Sequence, residues 1–415
     1  MRAALPPQTG AVVIGAGIAG ASVAAALMRA GLRCGLVLER EPLPGTHASG
    51  RNAAMARQLE GNAALLQLTV EGVRRLAGTC FDGRPVLNRT GGVYLGQGDP
   101  ASASELVAGL HAHCVPAEIL HPPEACSHFP FLQGFAFRYA IFCPTDGIVD
   151  IHALLIGLLA EARQGGFEVI TGCTVDSLVL EGGRVAGVRT ARGDVRTPLV
   201  MDASGAWAGR LGRESAPLPL KPLRRHLFVG ETGETFGPIH RGAPFVWDLD
   251  AGYYIRPESG GLLLCPCDEA EHPPGVPAPD PAAAELLADK ILNYAPGLGD
   301  VVLRRSWACL RTFAPDRLPV IGWDEDIAGL FHVSGLGGFG ITTSLAAGDL
   351  AATLIHGASP GEMDTSAFSP QRAGLVIERQ ALSRGVELQL RGDRDTRPAP
   401  TGSWNRRGPA AIDAE

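Results

Sequence analysis

Apolar and small residues alternate with glycines over the first forty positions in a pattern typical of a βαβ unit. The apolar run Ala11–Ile14 predicts a buried strand, and residues 17 to about 30 predict a helix. The Ala, Val and Leu residues of this helix suit close packing against a sheet. Gly31 ends the helix, and residues 32–38 supply a second strand.

Further periodic segments extend this α/β pattern along the chain. Amphipathic periodicity predicts helices over residues 60–78, 105–114, 151–164, 280–294 and about 343–356. Short apolar runs between turn residues predict strands over residues 91–95, 174–180, 185–190, 199–202, 227–230, 252–255, 261–264, 318–322 and 329–333. The Pro-rich stretch 270–281 predicts a loop. The tail from about Gly392 lacks core-forming residues, and we expect it to be mobile.

Composition and charge narrow the class of protein. The chain has 415 residues, 46% of them hydrophobic, so it can bury a large core. A net charge of −7 argues against the broad basic surface of a nucleic-acid-binding protein, and we expect no such partner. The apolar stretch 19–27 is too short to span a membrane, and the N-terminus does not resemble a signal peptide.

The nine cysteines are an odd number and include no CxxC pair. The nearest neighbours, Cys265-Pro-Cys267, have a spacing that fits no standard zinc or redox site. Reduced thiols in a cytoplasmic protein are the simplest account. We therefore predict a cytoplasmic protein without a metal site.

The segment Gly15-Ala-Gly17-Ile-Ala-Gly20 follows the first strand and opens the helix, as the dinucleotide-binding fingerprint requires. Gly15 permits a tight turn, Gly17 lets the backbone approach a pyrophosphate, and Gly20 lets helix and strand pack closely. The helix N-terminus offers N–H groups to the phosphates. Glu39, after the second strand, can accept hydrogen bonds from a ribose diol. The motif predicts a dinucleotide site but leaves FAD and NAD open.

Later segments resemble the D-amino-acid oxidase-like flavoprotein family, which includes glycine oxidase, sarcosine oxidase and bacterial D-amino-acid and D-arginine dehydrogenases. The matching segments are Pro44-Gly-Thr-His-Ala-Ser-Gly-Arg-Asn-Ala-Ala54, Pro144-Thr-Asp-Gly-Ile-Val-Asp150, Val200-Met-Asp-Ala-Ser-Gly-Ala-Trp207, Leu310-Arg-Thr-Phe-Ala-Pro-Asp-Arg-Leu-Pro-Val-Ile-Gly322 and Gly335-Leu-Gly-Gly-Phe-Gly-Ile-Thr342. Their order and spacing agree with the family from about residue 10 to 360. The resemblance therefore covers most of the chain and implies FAD as the cofactor.

The same resemblance implies an α/β fold in which a Rossmann-type FAD-binding domain is interleaved with an α+β antiparallel-sheet substrate domain. Residues 8–85, 145–215 and 305–370 would form the FAD-binding domain. Residues 86–144 and 216–304 would form the substrate-binding domain. Residues 371–415 would be a C-terminal extension, partly mobile.

The residues expected to contact FAD come from the fingerprint, the flavin loop and three later segments. They are Gly15, Gly17, Ile18, Ala19, Gly20, Glu39, Arg40, Ser49, Gly50, Arg51, Asn52, Ala53, Val175, Ser204, Gly205, Trp207, Gly337, Gly338, Phe339, Gly340, Ile341 and Thr342. In the flavin loop, Arg51 and backbone N–H groups can meet phosphate or flavin carbonyls; the alternative is an ordinary Asn/Gly loop. The helix that opens near Thr342 can stabilise negative charge on reduced flavin; the alternative is a plain Gly-rich loop.

Oxidation of an amino acid by a flavin requires a substrate carboxylate held so that Cα–H points at flavin N5. Arginine is the natural bidentate anchor, and the resemblance places Arg311 at the pocket floor. An exposed arginine paired with Asp316 is the alternative. The resemblance also implies that Tyr254 hydrogen-bonds the carboxylate, although a core tyrosine remains open. Tyr253 then faces the opposite side of the strand.

Two further residues are substrate-site candidates. The matching dehydrogenases carry a basic pair where this chain has Arg224-Arg225-His226, and we favour Arg225 as the member that contacts substrate. His47 lies in the flavin loop, where it can tune protonation of flavin or substrate. A structural histidine is the alternative for His47.

One departure from the resembling proteins concerns specificity, and one match concerns attachment of the cofactor. The segment Asn88-Arg-Thr-Gly-Gly92 offers no acid where dehydrogenases for cationic D-amino acids carry one, so we expect a neutral substrate. Glu118, Glu124 or Asp248 could still supply that acid. Cys309 matches the cysteine that is joined covalently to flavin in monomeric sarcosine oxidases. A buried, space-filling cysteine is favoured over this link.

The sequence therefore predicts an FAD-dependent oxidoreductase that removes hydride from Cα–H of a D-amino acid, glycine or N-methyl amine. The resulting imine hydrolyses to a 2-oxo acid, and O2 or a quinone accepts the electrons. A partner-dependent flavin subunit of a heteromeric sarcosine- or hydroxyproline-type dehydrogenase is the alternative. An NAD(P)H-dependent flavin hydroxylase is disfavoured, because the nearest second phosphate motif, Gly348-Asp349, falls inside a predicted helix.

Overall fold

The predicted βαβ unit forms the middle of a mainly parallel six-stranded sheet. The computed structural model describes residues 4–211, 217–233 and 240–376. Across the sheet the strands follow the order Phe167–Ile170, Gly35–Leu38, Ala11–Ile14, Val200–Asp202, Leu330–Ser334 and Val320–Trp323. The first five strands are parallel, and the last is antiparallel to its neighbour. The carboxyl ends of the parallel strands therefore meet at one edge.

Helices cover one face of this sheet, and a small antiparallel sheet covers the other. The helical side contains Ile18–Arg29, Ala63–Gly78, Ile151–Gln164 and Ser344–Ile355. The small sheet consists of Val175–Glu181, Arg184–Thr190 and Val195–Arg196. Strand alternation explains the two layers, because Val13 packs among the helices while Val12 and Ile14 pack against the small sheet.

A second, larger sheet is mostly antiparallel. Eight of its described strands follow the order Val302–Phe313, Lys221–Glu231, Gly261–Cys265, Tyr253–Glu258, Phe245–Asp248, Gly92–Gly96, Tyr139–Cys143 and Glu118–Leu120. The short strand Ala270–Glu271 also pairs with Lys221–Glu231, on the same side as Gly261–Cys265. Phe245–Asp248 and Gly92–Gly96 run parallel, and the other described pairs are antiparallel.

The two faces of the larger sheet have different neighbours. Helix Pro281–Tyr294 packs on one face, where it contacts the cluster that contains Tyr253. The opposite face carries Tyr254, Cys265 and Cys309, and it packs against Ala53 of the predicted flavin loop. Tyr253 and Tyr254 therefore lie on opposite faces, as the period of two along a strand requires. The face with Tyr254 is the one directed at the flavin loop.

Short elements complete the described chain. Met55–Ala56, Gly147–Val149 and Leu87–Asn88 form a three-stranded antiparallel sheet, and Cys80–Phe81 pairs with Arg84–Pro85. Helices Pro100–Ala112 and Pro122–His128 flank the outer strands of the larger sheet.

Most predicted elements are present with shifted ends. Ile151–Gln164 has the predicted bounds. Pro100–Ala112 begins five residues before the prediction, because the Asp99 carboxylate accepts a hydrogen bond from the N–H of Ala101 and Pro100 suits the first helical position. The second strand begins at Gly35 instead of residue 32, because the chain first leaves the helix through Gly31 at φ 102°.

The sequence pattern missed the longest described strand. Val302–Phe313 includes exposed arginines in its first half, so it lacks a continuous apolar run. Its partner Lys221–Glu231 begins six residues before the predicted strand at 227–230. The division into two domains stays a prediction, and Val302–Phe313 crosses its boundary at residue 305. The predicted mobile tail lies outside the described residues.

Candidate cofactor and substrate site

A cavity of about 440 Å³ follows the carboxyl ends of the parallel strands. Gly15, Glu39, Ala203 and Gly335, each just after one of those strands, line it. The cavity continues to Arg311 in the larger sheet. One space therefore joins the glycine fingerprint to the predicted carboxylate anchor, and ligands of open α/β sheets bind at this edge.

Many, but not all, of the predicted site residues line this cavity. Those that do are Gly15, Gly17, Ile18, Ala19, Glu39, Arg40, His47, Ser49, Arg51, Val175, Ser204, Gly205, Trp207, Arg311, Gly337 and Gly340, together with Cys309. Those outside the lining are Gly20, Gly50, Asn52, Ala53, Arg225, Tyr254, Gly338, Phe339, Ile341 and Thr342. Residues 275–277, from the predicted Pro-rich loop, line the cavity without having been predicted.

The three fingerprint glycines occupy positions that exclude a side chain or disfavour one. Gly15 has φ 100°, and a Cβ there would lie 2.7 Å from the carbonyl oxygen of Ala203. A Cβ on Gly20 would overlap the carbonyl oxygen of Gly15, so this glycine lets the helix pack on the strand. A Cβ on Gly17 would lie 3.1 Å from Ser49 Oγ. The fingerprint thus has the close backbone packing that a pyrophosphate cradle needs.

Glu39 presents a buried carboxylate at the end of the second strand. Its Oε2 accepts a hydrogen bond from the N–H of Ala16 over 2.7 Å, and its Oε1 accepts one from Glu41 over 2.9 Å. Each carboxylate oxygen has a second lone pair, so Glu39 can also accept hydroxyl donors from the cavity.

The predicted flavin loop contains a short 3-10 helix, Ala48–Gly50. Ser49 Oγ accepts a hydrogen bond from the N–H of Ile18 over 2.9 Å and so caps the fingerprint helix. Asn52 holds the loop from within, because its Nδ2 donates to the carbonyl of Ser49 over 2.7 Å. Arg51 donates to the carbonyl oxygens of Thr46 and Ala308, and its side chain faces the cavity.

The indole ring of Trp207 contacts one guanidinium and one imidazole ring at the cavity wall. The Arg40 guanidinium lies 4.4 Å from the indole ring centre, and the His47 ring lies 4.8 Å from it. His47 Nε2 also lies 2.9 Å from a carboxylate oxygen of Glu41. The described contacts of His47 are therefore with Glu41 and Trp207 and not with the predicted substrate residues.

Behind this wall, His332 is buried between two aspartates. Its Nε2 lies 2.9 Å from Asp324, and its Nδ1 lies 3.7 Å from Asp202. Burial alone lowers the pKa of His332, but the negative charge of both aspartates and the hydrogen bond to Asp324 outweigh it and raise that pKa. Asp202 in turn accepts hydrogen bonds from Ser204 and from the N–H of Gly209. This buried group, which the sequence analysis missed, fixes the loop after Val200–Asp202.

Arg311 is buried, with 8% of its surface exposed, and it lines the cavity. Its Nη1 donates to the sulfur of Cys309 over 2.9 Å and to the carbonyl of Leu310 over 3.3 Å. Within the described residues no carboxylate forms an ion pair with it. The alternative partner, Asp316, is instead paired with Arg372 at 2.6 Å. The cavity therefore contains a guanidinium whose charge is available to an anionic ligand.

Tyr254 lies on the same sheet face but outside the cavity lining. It is buried, its ring stacks on Trp247 at 4.7 Å between ring centres, and it packs in one cluster with Cys309. Burial raises the pKa of the hydroxyl well above its ordinary value, while Arg225 and Arg311 oppose that rise. Tyr254 is therefore a neutral donor beside the arginines.

Arg225 is engaged by neighbouring acidic and carbonyl groups. Its Nε donates to the carbonyl of Asp268 over 2.9 Å, and its Nη2 lies 2.6 Å from Glu269. Glu269 also forms an ion pair with Arg317. Arg224 forms an ion pair with Asp280. The structure therefore gives Arg225 a carboxylate partner, and of these two arginines only Arg311 lines the cavity.

Of the three acids that could bind a cationic substrate side chain, two accept hydrogen bonds from nearby backbone N–H groups and one is exposed. Asp248 is buried and accepts hydrogen bonds from the N–H groups of Asp250 and Ala251. Glu124 bonds the N–H of His121 at the start of its own helix. Glu118 is exposed on an outer strand of the larger sheet.

Arg57 was not singled out in the sequence, although it is the one charged side chain in the stretch 52–57 after Arg51. Its guanidinium lies 4.4 Å from the Trp247 ring and 4.0 Å from the Phe339 ring, and it forms a 3.0 Å ion pair with Glu60. Its N–H donates to Thr342 Oγ1 over 3.2 Å. Phe339 and Thr342 thus connect the Gly-rich segment to the sheet face of Tyr254.

The chain belongs to the family described as FAD dependent oxidoreductase (DAO), whose sequence pattern matches residues 11–354. Glycine oxidase of Pseudomonas aeruginosa is 28% identical over 377 residues, which cover 86% of this chain and 98% of the relative. The regulatory subunit of mitochondrial pyruvate dehydrogenase phosphatase from Mus musculus is 24% identical and covers 93% of this chain. The chain spans about half the length of that relative and of the mitochondrial dimethylglycine and sarcosine dehydrogenases it matches.

Solved structures agree with the fold. The L-proline dehydrogenase from P. horikoshii superimposes with a TM-score of 0.77 at 23% identity, covering 91% of this chain and 99% of that protein. Glycine oxidase from Bacillus cereus gives a TM-score of 0.69 at 20% identity, covering 86% and 98%. The predicted α/β fold with a Rossmann-type FAD-binding unit is therefore confirmed.

Family membership confirms FAD as the cofactor and an oxidoreductase as the class of enzyme. The residues present fit this group, because a cradle of close-packed glycines and the Glu39 carboxylate lie in one cavity. Gly348 does not supply a second phosphate motif. It lies inside helix Ser344–Ile355 against Ser22, and Asp349 binds Arg29 and Arg75. Among the described helices, none has the length and apolar character to cross a bilayer.

Proposed function

We propose that the protein oxidises an amino acid, either a D-amino acid or a glycine- or N-methyl-type amine, to an imine that hydrolyses to a 2-oxo acid. Bound FAD supplies the hydride acceptor for this reaction. The observation that carries the proposal is Arg311, a buried cation that lines the same cavity as the glycine fingerprint. Within the described chain it has no carboxylate partner.

The role of Arg311 follows from its surroundings. A buried charge without a counterion costs several kcal/mol, and a carboxylate that binds there removes much of that cost. The planar guanidinium can form two parallel hydrogen bonds to a carboxylate, which fix both its position and its orientation. Arg311 therefore binds the substrate carboxylate in this proposal, and Tyr254 supplies a neutral donor from the same face of the larger sheet.

The neighbouring charges support a substrate with a neutral side chain. The carboxylates of Asp248 and Glu124 are satisfied locally, so neither is left to receive a cationic side chain. Arg57 and Arg225 have carboxylate partners of their own, so a second substrate carboxylate gains little there. One substrate carboxylate thus pairs with Arg311 in this proposal.

Anaerobic mixing with a panel of D-, L- and N-methyl amino acids tests the proposal directly. Flavin absorbance near its visible maximum should fall with at least one of these substrates and should stay constant with NADPH alone. A panel in which no compound bleaches the flavin would contradict the proposed reaction. Bleaching by NADPH alone would favour the hydroxylase instead. Re-oxidation by O2 and by a soluble quinone then identifies the electron acceptor.

A partner-dependent flavin subunit is the second candidate. It is favoured by one specific observation, since one similar protein is itself named a regulatory subunit and is about twice as long as this chain. The purified chain would then bind FAD but leave it oxidised with every amino acid of the panel. Activity that returns only after co-expression with a second protein would establish this alternative.

A further inference from the structure

Cys265 and Cys267 flank Pro266 at the end of strand Gly261–Cys265. Cys265 lies opposite Tyr254 in the neighbouring strand and is fully buried in the cluster that contains Cys309. Cys267 packs against the same cluster and is partly accessible to solvent. The two thiols thus belong to the sheet face that carries Tyr254, and the proposed oxidation of an amino acid does not use them.

The backbone brings the two cysteines into direct contact. The N–H of Cys267 donates to Cys265 Sγ over 3.4 Å. Cys267 has φ 52°, in the left-handed region that residues other than glycine rarely adopt. The φ angle of a residue sets the direction of its Cβ relative to the preceding chain. Cys267 therefore has an uncommon backbone conformation at the point where its N–H contacts the Cys265 sulfur.

Nearby positive charge contributes to a difference in pKa between the two thiols. Lys290 Nζ donates to the carbonyls of Pro266 and Gly252, each over 2.8 Å, so its ammonium is held beside the cysteines. Burial alone raises the pKa of Cys267, but the hydrogen bond with Cys265 and the charges of Arg225 and Lys290 outweigh it and lower that pKa to about 7. For Cys265, burial dominates and raises the pKa.

We propose that Cys265 and Cys267 form a peroxide-sensitive thiol pair in which Cys267 is oxidised first and Cys265 then closes a disulfide. The Cys267 thiolate attacks hydrogen peroxide and breaks its O–O bond, which gives a sulfenic acid and hydroxide. The Cys265 sulfur then attacks the sulfenic sulfur and displaces its hydroxide. The two hydroxides combine with the thiol proton and one solvent proton, so two sulfurs lose one electron each and peroxide becomes two waters.

Disulfide formation changes the sheet face described above. It neutralises the sulfur charge that faces Arg225, and it moves the Cys265 sulfur that lies opposite Tyr254. The pair therefore couples peroxide exposure to the residues beside Arg311. Peptide mass detects this modification without any amino-acid substrate, so the result is independent of the proposed function.

The test treats the reduced, FAD-containing protein with equimolar hydrogen peroxide at neutral pH, alkylates the remaining thiols and digests the chain. The peptide with Cys265 and Cys267 should be about 2 Da lighter than its reduced, unalkylated form and should regain that mass with dithiothreitol. Cys126, also partly buried, is the internal comparison. Cys267 should react at least about threefold faster than Cys126, because its lowered pKa increases its own thiolate fraction at neutral pH.

Two variants separate the steps. Cys265→Ser should stop the reaction at a Cys267 sulfenic acid that dimedone captures, and Cys126→Ser should leave disulfide formation unchanged. Cys267 that reacts no faster than Cys126, or a wild-type peptide that keeps its reduced mass, would overturn the proposal. These two wild-type readouts decide the question even when the Cys265→Ser variant does not fold.

Discussion

The guanidinium of Arg311 lies against the thiol of Cys309, with Nη1 2.9 Å from Sγ, two positions earlier in the same strand. Sulfur is a weak hydrogen-bond acceptor, so this contact orients Arg311 without neutralising it. The strand pairs with Lys221–Glu231 along its whole length, which fixes the position of both side chains. The positive charge of Arg311 is thus held at a fixed position on the cavity wall.

Replacing Arg311 by methionine should reduce kcat/KM for the best amino acid at least about a hundredfold. Two charge-assisted hydrogen bonds to a carboxylate contribute about 1.5–3 kcal/mol each, and about 1.4 kcal/mol corresponds to a factor of ten. Steady-state kinetics measure the change. The control is Arg304→Met, which removes an exposed arginine of the same strand and should leave kcat/KM within about twofold. Equal effects of the two substitutions would remove Arg311 from the substrate site.

The adjacent tyrosines provide a matched pair of substitutions. Tyr254→Phe removes a hydroxyl on the face of Arg311 and should raise KM about three- to tenfold, as expected for the loss of one hydrogen bond. Tyr253→Phe removes a buried hydroxyl with no hydrogen-bond partner within the described chain, so it should leave KM and thermal stability nearly unchanged. A KM that responds equally to both changes would contradict the assignment of Tyr254.

The flavin should be released when the protein is denatured in acid. Burial raises the pKa of Cys309, although the nearby Arg311 opposes that rise, so the residue stays a thiol. A thiol is a poor nucleophile, which disfavours a covalent bond to the flavin ring. After acid precipitation the yellow colour should remain in the supernatant. Colour that stays with the pellet in the wild type but not in Cys309→Ser would show the covalent link instead.

Gly20→Ala should abolish FAD binding or folding. Its Cβ would overlap the carbonyl of Gly15, a backbone atom that cannot move without opening the fingerprint turn. The ratio of flavin to protein absorbance in purified samples measures retention and should fall severalfold. Gly78→Ala is the control, because a Cβ at that helix end meets nothing within 4 Å. Full flavin content in Gly20→Ala would refute the close packing described for this residue.

The buried His332–Asp202 pair should make stability depend on pH. Because the folded state raises the pKa of His332, its contribution is complete below the unfolded value of 6.5 and is lost as pH rises through the folded value. Because the folded state lowers the pKa of Asp202, its contribution is present above 3.8 and is lost as pH falls through the folded value. The pair should stabilise most between these two unfolded values.

His332→Gln should therefore lower the free energy of unfolding by about 3–5 kcal/mol at pH 6, the usual effect of breaking a buried ion pair. The difference from wild type should shrink as pH rises beyond 6.5. Denaturant unfolding at a series of pH values measures both quantities. The exposed His152→Gln serves as control and should change stability by less than about 0.5 kcal/mol. A difference independent of pH would show that folding does not change the pKa of His332.

Local features of this site could be predicted from the sequence, and long-range ones could not. The roles of the fingerprint glycines and of Glu39 could be predicted from their spacing, because the turn, strands and helix that contain them are contiguous in the sequence. The partners of Arg225 and Arg311 depend instead on strands that meet from distant segments. Glu269 has no arginine within ten residues of the sequence, and Asp316, although it lies next to Arg317 and five residues after Arg311, pairs with the distant Arg372. Arg57 was missed for the same reason, because its aromatic neighbours Trp247 and Phe339 are almost 200 and 300 residues away in the sequence.

The cavity has a consequence for how the protein acquires its cofactor during synthesis. Its wall is built from residues between Ile14 and Gly340, and Arg311 and Gly337 lie near the end of that span. A nascent chain that has passed only the fingerprint therefore has the pyrophosphate turn without the opposite wall. Tight FAD capture must wait until the ribosome has made residue 340 and that segment has left the exit tunnel. Cofactor loading in this protein thus depends on segments that are more than 300 residues apart in the sequence.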